Sequence, residues 1–428
     1  MEKIINATGF EPLLENIFKH LDFATLGPCL TVCRYWNQVV KNPTFLLKQL
    51  KFAKMPEDKL KKWKELAIRI PDDVNLTHSL SRCIFWALNH HKINGFLFPE
   101  TAASALGLVP VLKFIASYTE IDFSGEATNG SSPLHYAADY GHLDALKFHA
   151  TLIENIGTIE NKIKWTPIHF GALSDNVEIM KYFHELGCDL KIPDIDGRTP
   201  LQCAIGYGKV EMVKYFHDVG HDLNNPIYRG FTPFLLAVYY SCLEVIEFLA
   251  SVLENPFSRL DNGLSAFHLA AKYGCHNSLT CLLKIKNDPN VEILSTHPNL
   301  NKATPLHMAA QYGHLECVKV LTSFGSSPDV KRSDGYTPIH LASENGYEKV
   351  VEHLAKFTDN PNQPLSVNFN LQNETPLKMA IKKNHFKVVQ VLLKTLSEKM
   401  NSDPILKILS ERMNSNPQDT MNTLKLFG

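Results

Sequence analysis

Several features that define common protein classes are missing from this sequence of 428 residues. Its nine cysteines are odd in number and form no Cys-x-x-Cys pair, which fits a reducing compartment. The longest apolar run, residues 231–242, is shorter than the roughly 20 residues that a membrane helix needs. No charged segment followed by an apolar run opens the chain. We therefore predict a soluble, cytoplasmic protein, with the nucleus as an alternative location.

An excess of charge of one sign is also lacking. Lysine and arginine total 43 against 44 aspartates and glutamates, so no global field favours nucleic acid, a membrane surface or a strongly charged substrate. The sequence contains no HExxH, GxSxG or kinase signature, and the glycines at 206 and 208 lack the spacing of a phosphate loop. We therefore predict no enzyme activity, no catalytic residue, no cofactor and no metal site.

What the sequence does contain is one short unit repeated many times. The segments "SSPLHYAADYGHLDAL", "ATPLHMAAQYGHLECV" and "YTPIHLASENGYEKVV" are copies of it. Self-similarity at a period of this length is the signature of repeat architectures. The Thr or Ser that opens the unit recurs at spacings of 33 to 39 residues, at Ser132, Thr166, Thr199, Thr232, Ser265, Thr304, Thr337 and Thr375.

Each copy has the pattern of two helices joined by a turn. Thr-Pro begins the first helix, because a proline in the first turn loses no hydrogen bond. Eight residues after the proline position a glycine, such as Gly274, predicts a left-handed stop, and Asp175, Ser241 and Asn384 take that place in three copies. Apolar residues at helical spacing follow and predict the second helix. One copy cannot bury its own apolar face, so neighbouring copies must stack.

This pattern resembles the ankyrin repeat over residues 128–395. The resemblance implies a solenoid of helix-turn-helix repeats with short β-hairpin turns. A degenerate copy that keeps Pro99, Ala102, Ala103 and Gly107 at the same offsets predicts a capping repeat at residues 96–127.

A histidine follows the Thr-Pro-apolar triplet in five copies and could suggest a metal site. Each histidine lies at the same place in its own copy, so no single site collects ligands at the spacing that a metal needs. The ankyrin resemblance implies instead that they connect neighbouring turns through hydrogen bonds. These residues are His135, His169, His268, His307 and His340.

Tyrosines recur seven residues after the proline position, where the first helix ends near the predicted concave groove. One interpretation is that they pack between neighbouring repeats. The other is a tyrosine-lined groove for a partner protein, since tyrosine offers a large contact area at low entropy cost. The residues of this predicted partner groove are Tyr140, Tyr207, Tyr240, Tyr273 and Tyr312, with Tyr239 adjacent.

The first 50 residues follow a different pattern. Apolar residues at helical spacing end in Ile-Phe-x-x-Leu, and a Val-Cys-x-x-Trp run follows. This segment resembles an F-box, which implies docking to the Skp adaptor of Skp-cullin-F-box ubiquitin ligases. The alternative is a helical cap on the repeats. The residues that the resemblance assigns to docking are Leu13, Leu14, Ile17, Leu21, Leu26, Val32 and Trp36.

The sequence as a whole predicts an all-α protein in five parts. They are an F-box-like domain at 8–50, a helical linker at 51–95 in which Trp63 and Leu66 supply apolar contacts, the capping repeat at 96–127, eight ankyrin repeats at 128–395, and a C-terminal capping helix and tail at 396–428. We predict an adaptor whose repeats bind an unknown target protein and whose F-box binds the Skp adaptor of a cullin ligase. The alternative is an ankyrin scaffold or inhibitor with no ligase link. Neither involves nucleic acid or membrane.

Overall fold

The structure of the protein is a computed structural model that describes residues 57–69, 79, 82–83, 98–121, 129–224, 226, 230–260, 262–292, 301–365, 374–399 and 404–427. Within those ranges the regular elements are helices, and none of these residues forms a regular β-strand, which confirms the predicted all-α class. The F-box-like pattern and its seven docking residues lie outside the described residues, so the docking role remains a prediction.

The chain divides into two compact units, Met1–Cys203 and Ala204–Gly428. The first contains α1 (Glu57–Arg69), α2 (Pro99–Ala105), α3 (Val109–Ala116), α4 (Pro133–Asp139), α5 (Leu143–Ala150), α6 (Pro167–Gly171) and α7 (Val177–Glu185). The boundary falls within α8 (Pro200–Gly206).

The described helices of the second unit form the same succession of short pairs and end in two longer helices. They are α9 (Val210–Asp218), α10 (Pro233–Tyr240), α11 (Leu243–Val252), α12 (Ala266–Tyr273), α13 (His276–Ile285), α14 (Pro305–Tyr312), α15 (Leu315–Ser323), α16 (Pro338–Glu344), α17 (Glu348–Phe357), α18 (Pro376–Lys382), α19 (Phe386–Lys399), α20 (Pro404–Ser415) and α21 (Pro417–Phe427).

The start of α14 shows how Thr-Pro begins the first helix of a repeat. Thr304 is extended, with φ −100° and ψ 166°, and Pro305 occupies the first helical turn. The backbone N–H of Thr304 donates to Nδ1 of His307 at 3.0 Å, and the Thr304 hydroxyl lies 2.9 Å from the same nitrogen. The side chain of the third helical residue therefore caps the backbone that precedes the helix.

Apolar residues of both helices form the core of each repeat. In the second unit the alanine pairs of α12 and α14 are fully buried, and small side chains let neighbouring first helices approach closely. Leu279 and Leu282 of α13 are fully buried as well. Each repeat thus completes the apolar face of its neighbour, as a linear array of repeats requires.

The turns between repeats pair through backbone hydrogen bonds. The N–H of Arg332 donates to the Tyr336 carbonyl at 2.9 Å, which closes a tight turn. The N–H of Ser333 donates to the Asn301 carbonyl in the preceding turn at 3.1 Å. The predicted hairpin turns are therefore present as bonded turns, and they are too short to continue as strands.

Glycine ends the first helix for two physical reasons. Gly274 has φ 75°, a conformation that residues with a Cβ atom rarely adopt. A Cβ atom there would also lie 2.7 Å from Nδ1 of His314 in the next repeat. The His314 ring has little freedom to move away, because its Nε2 lies 2.9 Å from the Lys272 carbonyl.

The prediction that Asp175 ends a helix in the left-handed conformation is wrong. Ser241 and Asn384 adopt positive φ values of 61° and 60°, but Asp175 does not. In that copy α6 already ends at Gly171, and the Ser174 hydroxyl donates to the Gly171 carbonyl at 2.8 Å. A side-chain hydrogen bond thus satisfies the helix end, so no left-handed residue is needed.

Replacing Gly274 by alanine tests both reasons. We expect Gly274→Ala to lower the free energy of unfolding by about 2–3 kcal/mol, through backbone strain and the displaced His314 ring. Gly220→Ala is the matched control: its φ is 84°, but no atom lies within 4 Å of the added Cβ position, so we expect a loss of about 1 kcal/mol. Urea denaturation measures both, and equal losses would show that the close approach is unimportant.

Candidate functional site

The repeated histidines make a structural connection between repeats. Nδ1 of His268 accepts the backbone N–H of Ser265 at 3.3 Å, and its Nε2 lies 3.0 Å from the Ala303 carbonyl. A backbone N–H can only donate, so Nδ1 carries no proton and Nε2–H donates to the carbonyl. His268 is therefore a neutral imidazole with both nitrogens in use.

The same bond recurs at three other histidines. Nε2 of His135 lies 2.9 Å from the Trp165 carbonyl, and the corresponding distances for His169 and His307 to the carbonyls of the next turns are 3.2 and 3.1 Å. The prediction that these histidines connect neighbouring turns is confirmed at these four positions. Nε2 of His340 has no hydrogen-bond partner among the described residues.

Burial of these rings changes their acid–base behaviour. Loss of solvent lowers the pKa of His135 and His268 to about 4 and that of His307 to about 3, because a buried ring disfavours the charged form. The part of the chain that the structure describes also contains no cluster of three or more His, Cys, Asp or Glu side chains that could hold a metal ion.

Sequence reasoning missed a second set of connections, at the turn between the two helices of a repeat. Nε2 of His142 lies 3.0 Å from the Ala105 carbonyl, and Nε2 of His385 lies 2.9 Å from the Glu344 carbonyl. Nδ2 of Asn176 donates to the Gly141 carbonyl at 2.8 Å. The signal in the sequence that could have revealed these bonds is the histidine that recurs directly after the helix-ending position, at His142, His314 and His385.

Five of the six predicted groove tyrosines belong to the second unit, and we refer to Tyr207, Tyr239, Tyr240, Tyr273 and Tyr312 as the tyrosine row. Their exposed fractions are 65%, 37%, 45%, 44% and 43%, in that order. The ring centroid of Tyr239 lies 5.1 Å from that of Tyr240 and 4.8 Å from that of Tyr273, with edge-to-face geometry. Three rings of the row therefore pack edge to face, and all five tyrosines present aromatic surface to solvent.

Lys272 is the one basic residue among the positions that end the first helices from α8 to α14. Its Nζ lies 5.4 Å from the ring centroid of Tyr273 and 5.8 Å from that of Tyr312. Both distances fall within the range of cation–π attraction. The tyrosine row thus combines aromatic faces with the Lys272 ammonium group, which lies near two of the rings.

The sixth predicted groove residue, Tyr140, belongs to the first unit. It follows α4, and 45% of its surface is exposed. Burial of the rest of the ring raises the pKa of its phenol. The part that these six tyrosines play in binding remains a prediction.

Family models match both parts of the chain. The model for ankyrin repeats, built from three copies, matches overlapping segments from residue 100 to residue 407. The chain belongs to the ankyrin-repeat family. A model described as F-box-like matches residues 11–53, so the resemblance to proteins that combine an F-box with ankyrin repeats is confirmed. Ankyrin repeats and F-box-like domains typically bind other proteins and are not catalytic. Their presence in one chain supports a protein-interaction adaptor.

Among curated proteins, the ankyrin-repeat chain is similar to NF-kappa-B inhibitor alpha of Gallus gallus. The two are 37% identical over 49 residues, which is 11% of this chain and 15% of that protein. The chain therefore spans only a small part of the length of this relative. Within the described ranges, no helix is both long and apolar enough to cross a bilayer.

The buried histidines predict a loss of stability in acid. In the unfolded chain His268 takes up a proton below a pH of about 6.5, whereas in the folded chain it does so only near its lowered pKa of about 4. The unfolded state therefore binds more protons between these values, and stability falls as the pH falls through that window. For His268 the loss is on the order of 3 kcal/mol at pH 4.

We expect His268→Gln to remove the part of the acid-induced loss of stability that comes from His268. Gln202 occupies the corresponding position of α8, and its Oε1 accepts the Thr199 N–H at 2.8 Å, so glutamine can keep the cap without titrating. Thermal unfolding midpoints at pH 7 and pH 5 measure the effect. His276→Gln, at an exposed residue of α13, is the control; the same pH dependence in both variants would contradict the prediction.

Proposed function

We propose that this protein is the substrate-recognition subunit of a Skp-cullin-F-box ubiquitin ligase. The observation that carries the proposal is the presence in one chain of an F-box-like segment at residues 11–53 and ankyrin repeats at residues 100–407. The first would bind the Skp adaptor, and the second would bind the target protein. The chain would act by proximity, because it holds target lysines near a ubiquitin-charged enzyme.

The packing of α1 supports this arrangement. Trp63 and Leu66 are fully buried, and α1 contacts α2, the first helix of the proposed capping repeat. Nζ of Lys62 lies 3.4 Å from Oε1 of Glu100, whose side chain is almost fully buried. The same Nζ lies 3.8 Å above the ring centroid of Phe98. An ionic and a cation–π contact of Lys62 thus hold α1 on the repeat.

A fixed α1 would matter for an adaptor. We propose the division of the chain into a head at 8–50, a linker at 51–95, a capping repeat at 96–127, eight repeats at 128–395 and a C-terminal cap at 396–428. A linker helix that packs on the capping repeat would limit the range of distances between a bound target and the F-box-like segment. Fewer orientations would raise the effective concentration of target lysines at the enzyme.

We propose the tyrosine row as the surface that binds the target. Between 37% and 65% of each of these side chains is exposed, and a cluster of exposed apolar groups is typical of a protein-binding surface, whereas single exposed groups are not. Tyrosine is enriched among the residues that carry most of the binding energy at protein interfaces. Its aromatic face provides contact area, and its hydroxyl can form a hydrogen bond with a partner.

A second candidate is an ankyrin scaffold or inhibitor without a ligase link. It is favoured by the similarity of 49 residues to a protein whose name describes it as an inhibitor of NF-kappa-B. Such a protein would act by covering a surface of its partner. It would need the repeats and not the F-box-like segment, so binding to a Skp adaptor separates the two candidates.

We expect the purified full-length chain to capture a purified Skp adaptor in a one-to-one complex. Ile17→Asp should weaken capture on the order of 100-fold, because the F-box resemblance places Ile17 in the docking face and an unpaired carboxylate there would lose its water. Ile408→Asp is the matched control, since Ile408 is 52% exposed in α20, far along the chain from the F-box-like segment. Titration followed by light scattering measures both.

Two outcomes would contradict the ligase proposal. One is the absence of capture by a wild-type chain whose circular dichroism shows folded helices. The other is equal capture by the Ile17→Asp and Ile408→Asp variants. Either result would favour the scaffold or inhibitor.

A further inference from the structure

We propose that the tyrosine row binds an extended segment of the target that carries an aspartate or a glutamate, whose carboxylate pairs with Lys272. This inference rests on the proposed role of the row as the target surface and adds the chemistry of the segment that it recognises.

The charge along the row is the first argument. The two positions that end the first helices of four consecutive repeats contain one cation and no anion. They are Gly206, Tyr207, Tyr239, Tyr240, Lys272, Tyr273, Gln311 and Tyr312. The Lys272 ammonium forms no ion pair with any described residue, whereas the lysines of three second helices pair with a glutamate three residues earlier. Lys272 is therefore available for a carboxylate from outside.

The position of the ammonium is the second argument. Lys272 is half-buried, and its Nζ lies within 6 Å of the Tyr273 and Tyr312 ring centroids. Cation–π attraction to two rings restricts the side chain before any partner arrives. Less conformational entropy is then lost on binding, and an ammonium partly shielded from water attracts a carboxylate more strongly than a fully exposed one does.

The arrangement of the rings indicates an extended segment. Tyr240, Tyr273 and Tyr312 come from the first helices of three successive repeats. A partner that contacts all three must therefore extend along the row across several helices. Tyr239 fills the space between two of them, with its ring centroid within about 5 Å of both Tyr240 and Tyr273. An extended chain would lay apolar side chains on these faces and place one carboxylate at Lys272.

A carboxylate fits this site better than a phosphate does. Phosphate groups are commonly bound by the paired N–H donors of arginine, and the row contains no arginine. One ammonium balances one carboxylate. A single cation also provides too little charge for a nucleic-acid backbone, whose binding depends on several phosphate contacts.

Three peptide libraries test the inference with the full-length protein. They share flanking positions randomised among Leu, Val, Ala and Ser and differ only in a central Glu, Gln or Lys. We expect the wild-type chain to be retained about fivefold better on the Glu library than on the Lys library, as one partly shielded ion pair would allow. Added salt should reduce the difference.

Three variants separate Lys272 from general effects of charge. Lys272→Gln should abolish the preference, and Lys272→Glu should reverse it towards the Lys library. Lys286→Glu is the matched control, because Nζ of Lys286 lies 5.3 Å from the ring centroid of Phe257, outside the tyrosine row. This variant should keep the wild-type preference, and thermal unfolding confirms that each variant is folded.

The inference is overturned if the wild-type chain retains the Glu and Lys libraries equally, if it retains neither, or if Lys272→Glu and Lys286→Glu behave alike. A fourth library with a central phosphoserine that is retained better than the Glu library would overturn the choice of carboxylate. Skp capture by Lys272→Glu is measured in parallel. Capture without acid preference would refute this inference alone, and acid preference without capture would refute the ligase proposal alone.

Discussion

The hydrogen bond from a buried imidazole to the next turn is the interaction that joins neighbouring repeats at four places in the described chain. In His135, His169, His268 and His307 one nitrogen caps the start of its own helix, and the other binds the carbonyl that precedes the next repeat, as His268 does with Ala303. Both bonds require the neutral tautomer. Because this bond joins nearest neighbours, the stability of the array is close to a sum of local terms. Local coupling allows the exposed side chains of each repeat to vary without disturbing the stack.

Much of the fold followed from the sequence because the repeat is specified by local chemistry. Thr-Pro sets the start of a helix, and a glycine such as Gly274 sets its end, whatever lies further along the chain. The wrong expectation for Asp175 had a local cause, since the hydroxyl of Ser174 donates to the Gly171 carbonyl only three residues earlier, a side-chain bond that the glycine pattern did not include. The bond from His142 to Ala105 was missed for a different reason, because the two residues are 37 apart in the chain.

The candidate site could be predicted only in part. The period of the repeat placed the tyrosines at equivalent positions, and the structure describes their exposure. The position of the Lys272 ammonium relative to two rings of different repeats depends on how the helices stack, which no local pattern encodes. The sequence does not identify a binding partner, because the consensus positions specify the fold of the repeat and not what it binds. The proposed division of labour between the F-box-like segment and the repeats therefore rests on resemblance, whereas the proposed chemistry of the tyrosine row required coordinates.

Gln202 gives the chain an uneven response to acid. Its amide accepts the Thr199 N–H as the imidazoles accept theirs, yet an amide gains no proton as the pH falls. The imidazole caps of α12 and α14 would be protonated as the pH falls through about 4 and about 3, because these are the lowered pKa values of His268 and His307, whereas the amide cap of α8 would keep its strength. Acid would therefore destabilise the repeats with imidazole caps more than the repeat that begins with α8.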